Sequence, residues 1–375
     1  MCRPPIARSG RLVRIEKMTT SSGPSSAPRL VGARELARVA AEVLGASPLP
    51  GMVIDVATQR IVAVSLRAAQ LLCPDGGSVV GHSLEDYASD SPSHAPGLIS
   101  GGRLNGFETM RVLRRRRGHD VTIRMWIRQF DHTSTAQYVL AIIVAALPDT
   151  DVGPLRAEDE IPAVIGTVNA ALVIERISSD AEALFGCTVA DLIGSPLLGW
   201  IAEDDGGAAF LGALTEASAT NRGVTLTVGI RRPADPSADP LQCEMMLLPV
   251  EPASSCVFVI LPVEHGLHGL AVSDSLPMLL GRLSRGAQIA ELARGIFRGI
   301  GERDLPGLNS LTTRELEIMT AVLEGDRPPG IASNLCLSQS TVRNHLSSIF
   351  AKIGINSQQE LIDAFRAAQT GRELH

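Results

Sequence analysis

Near the C-terminus, a run opening at Ser338 places Arg343, Asn344 and Ser347 at i, i+1 and i+4, on one outward face of a helix, with Gln339, Ser340 and Thr341 near its start. A guanidinium fits the O6/N7 edge of guanine and an Asn amide fits the adenine edge, so this face has the chemistry to read bases in a major groove. Lys352 and the helix N-termini suit phosphate oxygens, which fix register without reading sequence. Val342, His345, Leu346, Ile349, Phe350 and Ile353 fall on the inner side of the same helix.

A reading helix must be held by others, and the flanking residues supply them. Thr312 and Glu315 have capping-box spacing, and Leu316, Ile318, Met319, Val322 and Leu323 form an apolar stripe that stops at Gly325. A second short helix carries Ile331, Ala332 and Leu335; Ser338 caps the third; Ser357 and Glu360 open a fourth that runs through Phe365. Four helices in about sixty residues, with a short turn between the second and third, make a helix-turn-helix.

This segment resembles the DNA-binding domain of the LuxR/NarL family. The resemblance rests on Leu311, Thr312, Arg314, Glu315, Glu317 and Ile318, then Gly325, Ile331, Ala332, Leu335, Leu337, Ser338, Thr341, Val342, Arg343 and His345, then Ile349, Lys352, Ile353 and Ile355. It implies an all-α four-helix domain, double-stranded DNA as partner, and transcription regulation. The DNA-binding residues it implies are Gln339, Ser340, Thr341, Arg343, Asn344, Ser347 and Lys352. The sequence departs from the family where Arg327-Pro328-Pro329-Gly330 replaces a Ser/Glu cap, and where Gln358 stands in place of a basic residue. Residues 305–375 hold six Lys/Arg against seven Asp/Glu. Weak non-specific affinity and reliance on dimerisation are therefore expected.

Upstream, β-rich runs at Met52–Val56 and Arg60–Val64, a short helix at Ser65–Leu72, a hairpin of Phe107–Arg115 with Val121–Phe130, and a strand at Tyr138–Ala146 follow a helical stripe of Leu36, Val39, Ala40, Val43 and Leu44. The order repeats in Ala163–Thr167, Ala171–Ile177, Ser179–Phe185, Gly223–Ile230, Leu241–Pro249 and Cys256–Pro262. This is a duplication of architecture and not of sequence. Ser178 to Gly186, Val189 to Pro196 and Ile201 with Asp204-Asp205 resemble a PAS sensor domain, and Val79 to Leu84 with Tyr87 and Asp90 echo it in the first copy.

The expected fold class is α+β: two PAS-like domains, each an antiparallel sheet flanked by helices, followed by a connector helix and the four-helix domain. The expected bounds are a disordered or mis-started N-terminus over 1–32 (with Met18 as an alternative start), PAS-like domains over 33–148 and 158–263, a connector over 264–304, and the helix-turn-helix over 305–375. Leu276, Leu280, Leu283, Ala287 and Ala290 have the spacing of a coiled-coil seam. Two readings stay open for it, a dimer stalk or a helix packed on its own chain.

Composition narrows the alternatives. The chain has 375 residues, 45% apolar, with a net charge of −6. Lys17 and Lys352 are its only lysines, so no GxxxxGK[ST] phosphate loop exists. The cysteines (2, 73, 187, 243, 256 and 336) lack CxxC or metal-ligand spacing and read as core filler. No HExxH, GxSxG or GxGxxG string occurs, so no enzyme is expected. The two Trp and two Tyr argue against the aromatic acyl-homoserine-lactone pocket of quorum-sensing members of the family. No cofactor or metal is expected. The expected partners are double-stranded DNA, a second copy in a homodimer, and a small molecule of unknown identity in a PAS-like domain, with no membrane and a cytoplasmic location. The competing reading is an interaction module that binds DNA weakly or not at all and heterodimerises with another regulator.

Overall fold

A computed structural model describes residues 33–88, 104–114, 120–131, 137–147, 161–202, 206–232, 238–250, 255–263, 272–297 and 305–370. The expected N-terminal tail, Asp90, Arg115 at the end of the first hairpin strand, Asp204-Asp205, the residues between the two expected PAS-like domains and the start of the connector lie outside them. In the first half, α1 (Ala33–Ala46) buries Leu36, Val39, Ala40 and Leu44 as its stripe requires. It is followed by β1 (Gly51–Asp55), β2 (Arg60–Val64), α2 (Leu66–Leu72), β3 (Gly106–Leu113), β4 (Val121–Asp131) and β5 (Gln137–Leu147). Ser65 begins α2 by accepting the Ala68 N–H at 3.2 Å, and it also accepts the Gly51 N–H at 3.0 Å. One hydroxyl thus ties helix to strand.

The second half contains β6 (Val164–Val168), β7 (Ile174–Ile177), α3 (Asp180–Phe185), α4 (Val189–Leu192), α5 (Gly206–Thr220), β8 (Val224–Ile230), β9 (Leu241–Val250) and β10 (Ser255–Pro262). β7 starts later than the expected Ala171 because Leu172 sits at a φ of 59° and Asn169 Oδ1 accepts the N–H groups of Ala171 and Val173. That is a turn stabilised by a side chain. The sequence reading missed α5, whose apolar residues follow no helical stripe.

The duplication is visible in hydrogen bonds. In the first half Gly81, at φ 86°, donates to Ile61 O, and Ile61 donates to His82 O. In the second half Gly194, at φ 85°, donates to Ile174 O, and Ile174 donates to Ser195 O. Both steps need a left-handed residue, which glycine adopts without a Cβ penalty.

All ten strands join in one antiparallel sheet of order β2-β1-β5-β4-β3-β8-β9-β10-β6-β7. Numbered within its own half, each set of five reads 2-1-5-4-3, and the halves meet third strand to third strand through Gly106 opposite Thr225 and Phe107 opposite Val224. At this seam the Trp126 ring fills the space a Cβ on Gly223 would need. The outer faces carry separate apolar cores. One is packed by α2 around Met52, Ile61, Ile123 and Met125, and the other by α3 to α5 around Phe185, Phe210, Met245 and Phe258.

The opposite face is covered too. The alternation in β4 suggests one apolar and one polar side, yet Trp126 and Arg128 on the second side are buried. The cover is α6 (Val272–Phe297), which packs against β4, β5, β9 and β10 and against α1. Leu276, Leu280, Leu283, Ala287 and Ala290 are buried within this chain. Of the two readings of that seam, the helix packs on its own chain.

Arginines of α6 and the sheet meet glutamates in this layer. Arg294 grips Glu108 through two bonds of 2.7 and 2.5 Å, Arg124 reaches Glu291 at 2.5 Å, and Arg128 of the first half pairs with Glu244 of the second. The architecture is the α+β arrangement expected: two PAS-like halves, a connecting helix and a C-terminal helical domain.

Candidate nucleic-acid interface

The C-terminal domain consists of α7 (Thr313–Leu323), α8 (Pro328–Asn334), α9 (Gln339–Ile353) and α10 (Gln358–Thr370). The Thr312 hydroxyl accepts the Glu315 N–H at 3.1 Å, and Glu315 accepts the Thr312 N–H at 2.8 Å, completing the expected capping box. In α8, Pro328 and Pro329 occupy the first helical positions without a side-chain cap. Those are positions where proline's missing N–H costs nothing, so the departure from the family pattern leaves a seven-residue helix in place. Arg314 fastens the far end of α8 by donating to Leu335 O at 2.9 Å. The turn then passes Cys336 at a φ of 52° and reaches Ser338, which accepts the Thr341 N–H at 3.0 Å and starts α9.

Val342, Leu346 and Ile349 press α9 into a core with Leu316, Ile318, Met319, Val322 and Ile331. That fixes which face looks out. Gln339, Ser340, Arg343, Asn344 and Ser347 are all exposed, together on the outward face. Arg343 has no ion-pair partner among the described residues. Thr341 is half-buried, its hydroxyl 2.8 Å from that of Ser338. Lys352 lies about 13 Å further along the helix axis.

Lys352 is not a bare cation. Its Nζ stands 2.6 Å from Glu315, whose other oxygen accepts the Ser348 hydroxyl at 2.7 Å. Sequence reasoning assigned Glu315 only to the cap and missed that it also anchors α9, although both residues lie within the motif. Burial alone would raise the Glu315 carboxyl, but the bonds from Lys352, Thr312 and Ser348 outweigh it and hold the group below its ordinary value. A carboxylate with a lowered folded pKa contributes stability that is present above its unfolded pKa and lost as pH falls through the lowered value. Acid titration of the folded chain should therefore loosen the α7–α9 contact below the ordinary carboxylate range. Glu315→Gln should remove that pH-dependent component, as read from α9 amide shifts; an unchanged acid profile would count against the assignment.

The description "Bacterial regulatory proteins, luxR family" matches residues 309–365, from the turn before α7 into α10. The spore germination protein GerE of Bacillus subtilis (strain 168) is 31% identical over 61 residues, which span 16% of this chain and 82% of GerE. The chain belongs to the LuxR family of bacterial regulatory proteins. The monoamine regulon transcriptional regulator of Klebsiella aerogenes is 40% identical over 74 residues, 20% of this chain and 32% of that protein. Mycobacterium tuberculosis and Mycobacterium bovis proteins described as HTH-type transcriptional regulators are 41% identical over 76 residues, 20% of this chain, and the chain spans only 8% of their length. Among solved structures, VqmA bound to DPO is 17% identical with a TM-score of 0.24, covering 54% of this chain and 85% of VqmA. The PAS domain of the quorum-sensing receptor RpfR from Cronobacter turicensis, in complex with BDSF, is 13% identical with a TM-score of 0.24, covering 28% of this chain and 99% of that domain. The family match lies in the C-terminal helical domain, and the PAS-like description of the two halves is a reading of their strand order and the repeated glycine step.

Proposed function

We propose that this LuxR-family chain is a sequence-specific DNA-binding transcription regulator rather than an enzyme. In this reading α9 enters the major groove, and the PAS-like halves, spanning 33–148 and 158–263, govern the domain over 305–375 by taking up a small molecule. The observation that carries the reading is the outward face of α9, where Arg343, Asn344, Ser347, Gln339 and Ser340 are exposed together while the opposite face is locked in the core. Of the three donors on the Lys352 ammonium, Glu315 engages part, which leaves capacity for a phosphate. Thr341 acts at the start of α9 by holding Ser338 in place.

The regulator works in the cytoplasm on double-stranded DNA as a homodimer, since LuxR-type readers use paired half-sites about one helical turn apart. The apolar stripes of α1 and α6 are spent inside the chain, so a dimer interface lies elsewhere on its surface. No helix among the described residues is long and apolar enough to cross a membrane.

The test is binding of the purified full chain to its own promoter region across a salt series. A specific complex should form whose affinity falls as salt rises. Lys352→Ala should weaken binding to every duplex alike and shallow the log–log salt slope by about one unit per protomer. Binding that is absent at low salt would leave the interaction-module reading in place.

A further inference from the structure

The matched hydrogen bonds of the two halves align their cores residue by residue. Arg114 N–H donates to Tyr87 O and Arg231 N–H to Trp200 O, both at 2.8 Å, and Leu113 bridges Ala88 as Ile230 bridges Ile201. Counting back along the strands, Arg111 corresponds to Val228 and Thr109 to Leu226. At the start of each half, Ser65 N–H donates to Gly51 O as Ser178 N–H donates to Ile165 O, so Met52 corresponds to Gly166. Met52 stands opposite Ala141 and Gly166 opposite Phe258, so Ala141 corresponds to Phe258. The two cores differ in chemistry. In the second half Leu226 and Val228 are buried among Phe185, Phe210 and Phe258, and the Phe258 ring fills the space a Cβ on Gly166 would need. Rigid rings close that half. In the first half Thr109 is 1% and Arg111 6% exposed, on the face of β3 that sends Phe107 and Leu113 into the apolar core. They stand across from Met125 and Ile123 of that core. The Thr109 hydroxyl has no hydrogen-bond partner among the described residues, although a buried hydroxyl without one costs stability. Arg111 adds a guanidinium with five N–H donors, of which a planar carboxylate takes two. Where the second half has its Phe258 ring over a glycine, the first has Met52 over Ala141, an unbranched thioether that repacks readily.

We propose that the first PAS-like half, and not the second, takes the small molecule, and that the ligand is a small, largely apolar carboxylic acid. Its carboxylate accepts from the Thr109 hydroxyl and the Arg111 guanidinium, and its hydrocarbon part displaces Met52 against Ile61 and Met125. This rests on the small-molecule uptake proposed above and names its site and its chemical class. A guanidinium repels an ammonium, whereas a carboxylate offers acceptors to both groups. An ionised carboxylate enters an apolar core only beside a cation, and Arg111 is the cation on this face of β3. The second half, with Val228 and Leu226 at the same positions, has no such donors on β8 to offer.

The test is titration of the full chain, without DNA, with phenylacetate and the straight-chain carboxylates from butyrate to dodecanoate, each beside the alcohol of the same skeleton. Binding is read by calorimetry and by the resonance of an isotope-labelled carboxyl carbon. At least one carboxylate should saturate a single site per chain, and its alcohol should bind about tenfold or more weakly. Thr109→Val exchanges an unpartnered hydroxyl for a methyl of the same shape. It should unfold no earlier than the parent, yet lose about tenfold or more in carboxylate affinity. Arg111→Met should lose the preference for carboxylate over alcohol; if that variant does not fold, Thr109→Val decides alone. Thr225→Val is the control. Its hydroxyl is also buried and unpartnered, but it stands across from Met246 on the α6 face of the sheet, so the variant should bind as the parent does. Absence of saturable binding by every probe overturns the site. So does binding that Thr109→Val leaves unchanged, in which case uptake of a small molecule stands but lies elsewhere. DNA reading by α9 is judged separately, by the promoter titration.

Discussion

Glu108→Ala should destabilise the folded chain by about 3 kcal/mol, because it leaves Arg294 and Arg124 to share Glu291 as their one remaining carboxylate among the described residues. The Glu108 carboxylate takes two bonds from Arg294 and the Gly223 N–H at 3.1 Å, and Arg124 stands 3.5 Å away. Arg294 is 7% exposed and cannot turn to water for compensation. Typical domains are stable by only about 5–15 kcal/mol, so the loss is a large share of the total. Urea unfolding followed by tryptophan fluorescence is the measurement, with Trp126 buried beside the seam as a reporter. Glu35→Ala, which breaks the exposed pair with Arg38 on α1, is the control and should shift stability by no more than about 1 kcal/mol. If the two variants behave alike, the buried network does not hold the halves together.

The second large effect is on readout. Arg343→Ala should cost about 1–3 kcal/mol per half-site and relax preference at one base position, because a bidentate guanidinium–guanine contact is lost. Arg343 is exposed and unpaired in the described structure, so little folding energy is involved and the variant should unfold as the parent does. Selection from random duplexes reads the change directly. The contrast is with Lys352, whose bond to Glu315 means that Lys352→Ala loses some α7–α9 stability along with any phosphate contact. Unaltered affinity and unaltered preferred sequence in Arg343→Ala would remove α9 from the groove.

What could be read from the chain was whatever is local. The capping box at Thr312–Glu315, the cap at Ser338 and the stripe of α1 are short-range patterns, and each appears where its spacing puts it. The outward set on α9 follows from the same periodicity. α5 escaped because its apolar residues surround the helix instead of lining one face, which leaves no period to detect. The partners of Arg294, Arg128 and Arg285 escaped because they lie 186, 116 and 32 residues away in the chain. Nothing in the sequence ranks one glutamate above another for such a pair. The seam of α6 was legible as an apolar stripe, but a stripe states only that something covers it. Here the cover is the chain's own sheet.

The core shared by α6, the sheet and the C-terminal helices has a consequence for anyone building chimaeras. Leu305, Leu308, Leu311 and Leu316 belong to the same apolar cluster as Leu280, Ile289 and Ile296. Cutting at 305 to graft the reading head onto another receptor would bare that leucine flank, inviting aggregation. A junction placed ahead of Val272 keeps α6 with the helices it shields, but then opens the floor of the sheet left behind. Exchange of parts between such chains is therefore easier at the level of whole chains than of modules, and under the proposed readout a change of specificity is better sought by rewriting Gln339, Ser340, Arg343, Asn344 and Ser347 in place.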